Sequence, residues 1–206
     1  MTIVGVDMSK NSPGICIRKD DNLSFLSFIR GRETKRNSPH FTSLREKGVQ
    51  IFFNDRSTKI KEYTELEVWK ISDASQLANE IVSKLPDDVD MIGMEGFSYG
   101  SKGNAGLDIA GYAYCLRKAL FEKYGASKLS IFSPGNVKKN AGKGNAGKEE
   151  MMNFFLTTQS QDLINNEFWK GVTSKSITTE KPVDDLVDSF YVQECARLYY
   201  ESKLDI

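Results

Sequence analysis

The sequence predicts a single α/β domain built on a mixed sheet, with an N-terminal antiparallel meander joined to a parallel βαβ layer. Three observations lead there. Three short apolar segments follow one another between Thr2 and Ile29, a strand–helix–strand succession occupies residues 90–132, and a 206-residue chain suits one core better than two.

The first segment, Thr2 to Val6, is β-branched and alternating and ends on Asp7. After a polar turn, Ile15 to Arg18 and Leu23 to Ile29 read as the next two strands. Residues Gly31 to Lys47 carry Arg32, Lys35, Arg36, Arg45 and Lys47 around Pro39 and read as a long basic loop or arm. Val49 to Phe53 and Glu65 to Ile71 read as strands of an inserted hairpin, so an insertion is expected over about 31–70. Ser72 or Asp73 is placed to cap a helix whose apolar positions Leu77, Ile81 and Leu85 repeat at fourfold spacing before Pro86. Asp90 to Met94 is a short apolar strand delivering Glu95. A glycine-rich loop, a helix from about Leu107 to Tyr124 and a strand from Leu129 to Phe132 come next, closed by Ser133-Pro134-Gly135. Helices from about Lys148 to Thr157 and from about Val183 to Glu201 complete the chain.

Composition excludes several classes. With 39% apolar and 27% charged residues and no apolar run near the ~18 residues of a membrane span, no membrane association is expected. The N-terminus lacks a basic region leading into an apolar one, so it reads as a strand rather than a signal peptide, and a cytoplasmic location is expected. Cys16, Cys115 and Cys195 are odd in number and widely separated, which supports neither a disulfide framework nor a Cys-x-x-Cys metal site. His40 is the only histidine, so neither a Cys/His zinc site nor a histidine-based triad is expected. The 28 basic and 28 acidic residues cancel, so binding to nucleic acid has to come from local clustering.

The acids are more informative. Asp7 and Glu95 each end an apolar strand, and the carboxyl ends of strands are where functional groups collect in open α/β sheets. On the last helix, Val183, Leu186, Val187 and Phe190 form an apolar face, with Asp184, Asp185 and Asp188 away from its centre. Three carboxylates within one and a half turns repel one another unless a cation is near. A helix N-terminus accounts for Asp184 or Asp185 but poorly for Asp188. Oxygen-only clusters suit magnesium or manganese, and paired ions support phosphodiester hydrolysis without histidine.

Three stretches, IVGVDMSKNSPGICI, MIGMEGFSYG and DDLVDSFYV, resemble in order and context the first strand and hairpin, the strand-ending Glu, and the C-terminal Asp-x-x-Asp helix of RuvC-type Holliday-junction resolvases, within the ribonuclease H-like superfamily. The resemblance spans the chain. It implies a ribonuclease H-like fold with a mixed five-stranded sheet flanked by helices, a homodimer, and cleavage of opposed strands of a four-way DNA junction. It also implies that Asp7, Glu95, Asp185 and Asp188 bind two magnesium ions, for which manganese would substitute. Spacing alone leaves Asp184 and Asp185 equivalent as partners of Asp188; the family pattern favours Asp185. Residues 30–70 and 160–182 are longer than the matching regions of compact bacterial members, as in a viral or phage-type member. No helix carries an unmistakable self-association stripe, so the homodimer follows from the resemblance.

Between Pro134 and Lys148 lie Lys138, Lys139, Lys143 and Lys148 with no acid, a local patch suited to phosphates; a solvated loop is the plain alternative. Lys148 matches the family lysine that approaches the scissile phosphate. Gly142-x-x-x-x-Gly147-Lys148 is close to a P-loop, but Glu149 replaces the metal-binding Ser or Thr, so no nucleotide cofactor is expected. After Glu95, the family places an aromatic against an unpaired base, a role for which Phe97 precedes Tyr99; core packing is the commoner fate of a phenylalanine. Lys102 lies in the same loop. The alternatives to a junction resolvase are a related nuclease acting on an RNA–DNA hybrid, a flap or branched viral DNA, or a non-catalytic nucleic-acid-binding module.

Overall fold

The computed structural model describes residues 1–97, 104–159 and 181–204. Strands β1 (Thr2–Asp7), β2 (Gly14–Lys19) and β3 (Asn22–Arg30) form the expected antiparallel meander. Strand β4 (Gln50–Asn54) joins β3 in parallel, while β5 (Met91–Glu95) joins β1 and β6 (Leu129–Phe132) joins β5, both also in parallel. The sheet order is β4-β3-β2-β1-β5-β6.

The sheet thus has six strands, one more than expected. The difference is β4, which belongs to no hairpin: a parallel partner needs a crossover, and helix α1 (Ser38–Glu46) supplies it. The stretch 31–47 is therefore not a loop throughout, because Phe41 and Leu44, three residues apart, bury one side of α1. Glu65 to Ile71 is helical rather than extended. It forms the first turns of the 22-residue helix α2 (Tyr63–Lys84), whose N-terminal amides of Thr64 and Glu65 donate to the Glu62 carboxylate. Asp73 is no cap; it lies inside α2, ion-paired with Arg30 and with Arg56 at 3.2 Å.

Helix α3 (Asn104–Tyr124) connects β5 to β6. Ser133 caps the short helix α4 (Pro134–Lys139), and α5 (Lys148–Phe154) continues through a wider π-turn over Phe155–Gln159. Helix α6 (Val183–Leu204) closes the chain. Among the described residues no helix is long and apolar enough to cross a membrane.

Strand alternation assigns the two faces. Val4, Val6, Ile15, Ile17, Ile92 and Met94 meet Leu77, Ile81, Leu116 and Leu120 of α2 and α3. Ile3, Met91 and Cys16 instead lie under α6, with Leu186, Val187, Phe190 and Ala196. Asp7 and Glu95 share the parity of Ile3 and Met91, so they emerge on the α6 face.

Helix α6 sits unusually close to that face. A Cβ at Gly5 would lie 2.2 Å from the Gln193 amide nitrogen, one at Gly14 2.2 Å from the Asp185 carbonyl oxygen, and one at Gly93 2.9 Å from the Ala196 Cβ. These glycines on three adjacent strands let backbone pack on backbone. Gly14→Ala should therefore push α6 outward, lowering stability by about 1–3 kcal/mol or more. Thermal denaturation checks this, against an expected near-neutral Gly111→Ala, where a Cβ meets nothing within 4 Å.

Candidate active site

Val6 lies opposite Met94 on the neighbouring parallel strand, which leaves Asp7 and Glu95 as the next residues at one sheet edge. The first turns of α6 cross above them and bring Asp185 and Asp188. Asp7 is held well above the usual carboxyl range, first by burial and then by the charges of Asp188, Asp185 and Glu95, with Lys181 opposing. Burial also raises Asp188, to about 7; Lys148 pulls it back, while Glu95, Asp185 and Asp184 add repulsion. Glu95 is raised by burial, against the field of Lys138. Burial and the neighbouring Asp184 raise Asp185, opposed by Lys181 and by a hydrogen bond from the Ser12 hydroxyl.

Asp184 and Asp185 part company here. The buried Asp184 receives Lys148 at 2.5 Å and Lys181 at 3.2 Å, its other oxygen having no partner among the described residues. Asp185 is bonded by Lys181 and Ser12 and is the one that acts on Asp7. Among the described residues, no group of three or more acidic, histidine or cysteine side chains is gathered as a ready ligand set for a metal ion. The carboxylates feel one another electrostatically without closing to coordinating distance, and lysines hold two of them.

A cleft of about 330 Å³ opens beside Asp7 and Glu95, bounded by Met8, Phe97 and the start of α3 at Leu107 and Ala110. Phe97 borders it half-buried, with the Arg117 guanidinium 4.5 Å from its ring centre and Tyr114 at 5.5 Å. Arg117 also donates to the Glu95 carbonyl at 3.1 Å, bracing the end of β5. Tyr99 and Lys102 lie outside the described residues.

The basic stretch is partly helical, and its lysines differ. Lys138 is half-buried and within the field of Glu95, and Lys139 is exposed. Lys143 is ion-paired with Glu150, and Lys148 is turned to Asp184. The P-loop-like run does not cradle an anion: the Gly147 amide donates to the Glu150 carboxylate at 2.9 Å.

Sequence reasoning missed Ser12, Lys181 and Arg117. Ser12 bonds a carboxylate far along the chain, Arg117 reaches back to a backbone carbonyl 22 residues earlier, and Lys181 precedes Asp185 by four residues in a stretch without a strong pattern. The glycines beneath α6 had a signal, since isolated glycines inside strands mark close approach.

No family model matches the chain, and no curated protein matches it. Among solved structures, Thermus thermophilus RuvC in complex with Holliday junction substrate is similar with a TM-score of 0.52 at 11% identity, covering 98% of this chain and 96% of that one. The T. thermophilus RuvC structure on its own gives 0.47 at 12% identity, covering 98% and 97%. The first likeness establishes a RuvC-like fold.

The cluster has a pH signature. Asp188 ionises at an ordinary 3.8 in the unfolded chain and at about 7 in the fold, so between those values the folded protein keeps a proton that the unfolded chain has released. Its contribution is greatest at the acidic end of that window and is lost as pH rises through about 7. In metal-free buffer Asp188→Asn should raise the melting temperature near pH 8 by several degrees, about 1 kcal/mol being worth roughly 2–4 °C. Toward pH 4.5 the difference should shrink to a fraction of that seen near pH 8. A variant melting below the wild type near pH 8 would contradict the repulsion.

Proposed function

We propose that this protein is a divalent-metal-dependent endonuclease that cuts branched DNA, with the four-way junction as its substrate. The observation that carries the reading is the meeting of Asp7, Glu95, Asp185 and Asp188, from two strand ends and one helix, at one partly buried sheet edge. The donor set fits a hard cation: it is all oxygen, it repels itself, and Asp184 beside it keeps a buried oxygen without a partner. A likeness of fold to a protein solved with a Holliday junction adds support for the substrate class.

Asp7, Glu95, Asp185 and Asp188 would hold the metal, magnesium or manganese as a pair. Bound there, such a pair supplies charge that activates water and stabilises the leaving oxygen in phosphodiester hydrolysis, to give a 5′-phosphate. Ser12 and Lys181 fix the orientation of Asp185. Lys148, half-exposed beside Asp184, is placed to offset negative charge gathering on the phosphate. Lys138 and Lys139 extend a positive surface past Glu95, and Phe97 borders the cleft as a face on which an unpaired base can stack.

Symmetric cutting of a junction calls for two copies of the site. Leu107, Tyr114 and Phe121, seven residues apart on α3, are each more than half exposed, a stripe that supports self-association along this helix. Phe121→Asp is expected to shift the protein from dimer to monomer in sedimentation equilibrium; an unchanged mass would place the contact elsewhere.

The central test is a substrate panel in magnesium. The wild type should cut a four-way junction faster than a flap, an RNA–DNA hybrid or a plain duplex. Asp7→Asn should lose cleavage by about 10³-fold or more while still binding the junction, a few kcal/mol of transition-state stabilisation being at stake. Retained cleavage in Asp7→Asn would sink the assignment of the site, and preference for the hybrid or flap would redirect the substrate.

A further inference from the structure

Strands β1 and β3 are both antiparallel to β2 and so run the same way; Ser27 stands level with Asp7 two strands away, about 10 Å by ordinary strand spacing, and the end of β3 at Arg30 projects three residues, about 10 Å, beyond it. There Gly31 turns the chain with a φ of +109°, its amide donating to the Asn54 carbonyl at 2.8 Å. The following residues carry Arg32, Lys35 and Arg36, all exposed and without an ion pair among the described residues.

Nothing in the segment cancels them. Its one acid, Glu33, receives both terminal nitrogens of Arg45, at 3.1 and 2.8 Å, and the Ser38 hydroxyl at 2.8 Å, and those bonds hold its carboxyl below the ordinary range. The first turn of α1 has no acid. Three of the exposed lysines elsewhere are matched, Lys118 with Glu122, Lys123 with Asp87 and Lys143 with Glu150.

The segment is also pinned. The Thr34 amide donates to the Asn37 side chain at 2.6 Å, and the amides of Asn37 and Ser38 return to the Thr34 carbonyl. At its root the Arg30 amide donates to the Asn11 carbonyl, and the Arg30 side chain is ion-paired with the buried Asp73. Three cations held in order lose less freedom on meeting a polyanion than three on a free coil.

We infer that Arg32, Lys35 and Arg36 form a second phosphate-binding surface, which grips the backbone of a DNA arm flanking the cut. It lies on the opposite side of the carboxylates from Lys138 and Lys139. Four strand spacings, about 19 Å, separate the ends of β3 and β6, so the two basic surfaces meet different stretches of backbone. Two of the three groups are guanidiniums, whose forked donors match phosphate oxygens.

The inference rests on the nuclease reading, and the test separates the two. Binding of a labelled four-way junction is measured by anisotropy without magnesium over a salt series, for the wild type and for Arg32→Ala/Lys35→Ala/Arg36→Ala. Each lost phosphate contact lowers the slope of log K against log salt by about 0.9, so the triple variant should lose about 2 to 3 of slope. The loss should vanish as the junction arms are shortened stepwise. Arg32→Lys/Arg36→Lys should keep the wild-type slope, which guards against a misfolded triple variant. Equal slopes for wild type and triple variant, with tight wild-type binding, would overturn this surface alone. Absence of any salt-dependent junction binding by the wild type would overturn the nuclease reading with it.

Discussion

The arrangement depends on how closely α6 can approach the sheet. Helix and strand backbones meet at Gly5, Gly14 and Gly93, where even a methyl group would overlap main-chain atoms or Ala196. This proximity sets the height of Asp185 and Asp188 above Asp7 and Glu95. It also explains why α6 is buried over its first three turns and more, including the polar Ser189, Gln193 and Glu194. Glu194 is compensated from both sides, by Arg18 of β2 at 2.7 Å and by Arg197 one turn along the helix at 2.9 Å. A buried charge with one partner removed is strongly destabilising, so this pairing also fixes the rotation of α6 about its axis.

The same proximity creates a local electrostatic cost. Four carboxylates share a poorly solvated edge, and three of them meet repulsion from acids nearby. Lys148 and Lys181 relieve part of it, but mostly at Asp184 and Asp185, leaving Asp7 and Asp188 with less compensation. The apolar layers on both sheet faces carry that cost, which is the usual relation between a strained site and the scaffold around it.

Much of this was legible in the sequence where the signal was local. The meander, β5, β6 and α6 follow from alternation and helical spacing, and Asp7 and Glu95 stand out because each is the first charge after an apolar run. What escaped reading depends on distant partners. Glu65 to Ile71 read as a strand, yet its Val68 and Ile71 are exposed on α2, whose start is decided by the Glu62 cap. Asp73 resembled a cap because its neutralising arginines, Arg30 and Arg56, come from β3 and the segment after β4. Helix α1 is short and mostly polar, and only Phe41 and Leu44 reveal its buried side. The glycine seam needs the helix above it to be understood.

Topology, rather than composition, gives this neutral chain an electrostatic character. Five of the six strands, β1, β3, β4, β5 and β6, run the same way and end at one edge, and only β2 opposes them. Whatever follows a strand therefore gathers there: Asp7 and Glu95 from the neighbouring strands β1 and β5, the basic turn after β3 on one flank, and the lysines of α4 after β6 on the other. Acids occupy the centre and cations the sides. A formal charge of zero is the sum of these opposed regions, and screening over about 8–10 Å at ordinary ionic strength keeps a polyanion sensitive to the flanks rather than to the sum. Parallel strand direction alone is sufficient to sort the charges in this way.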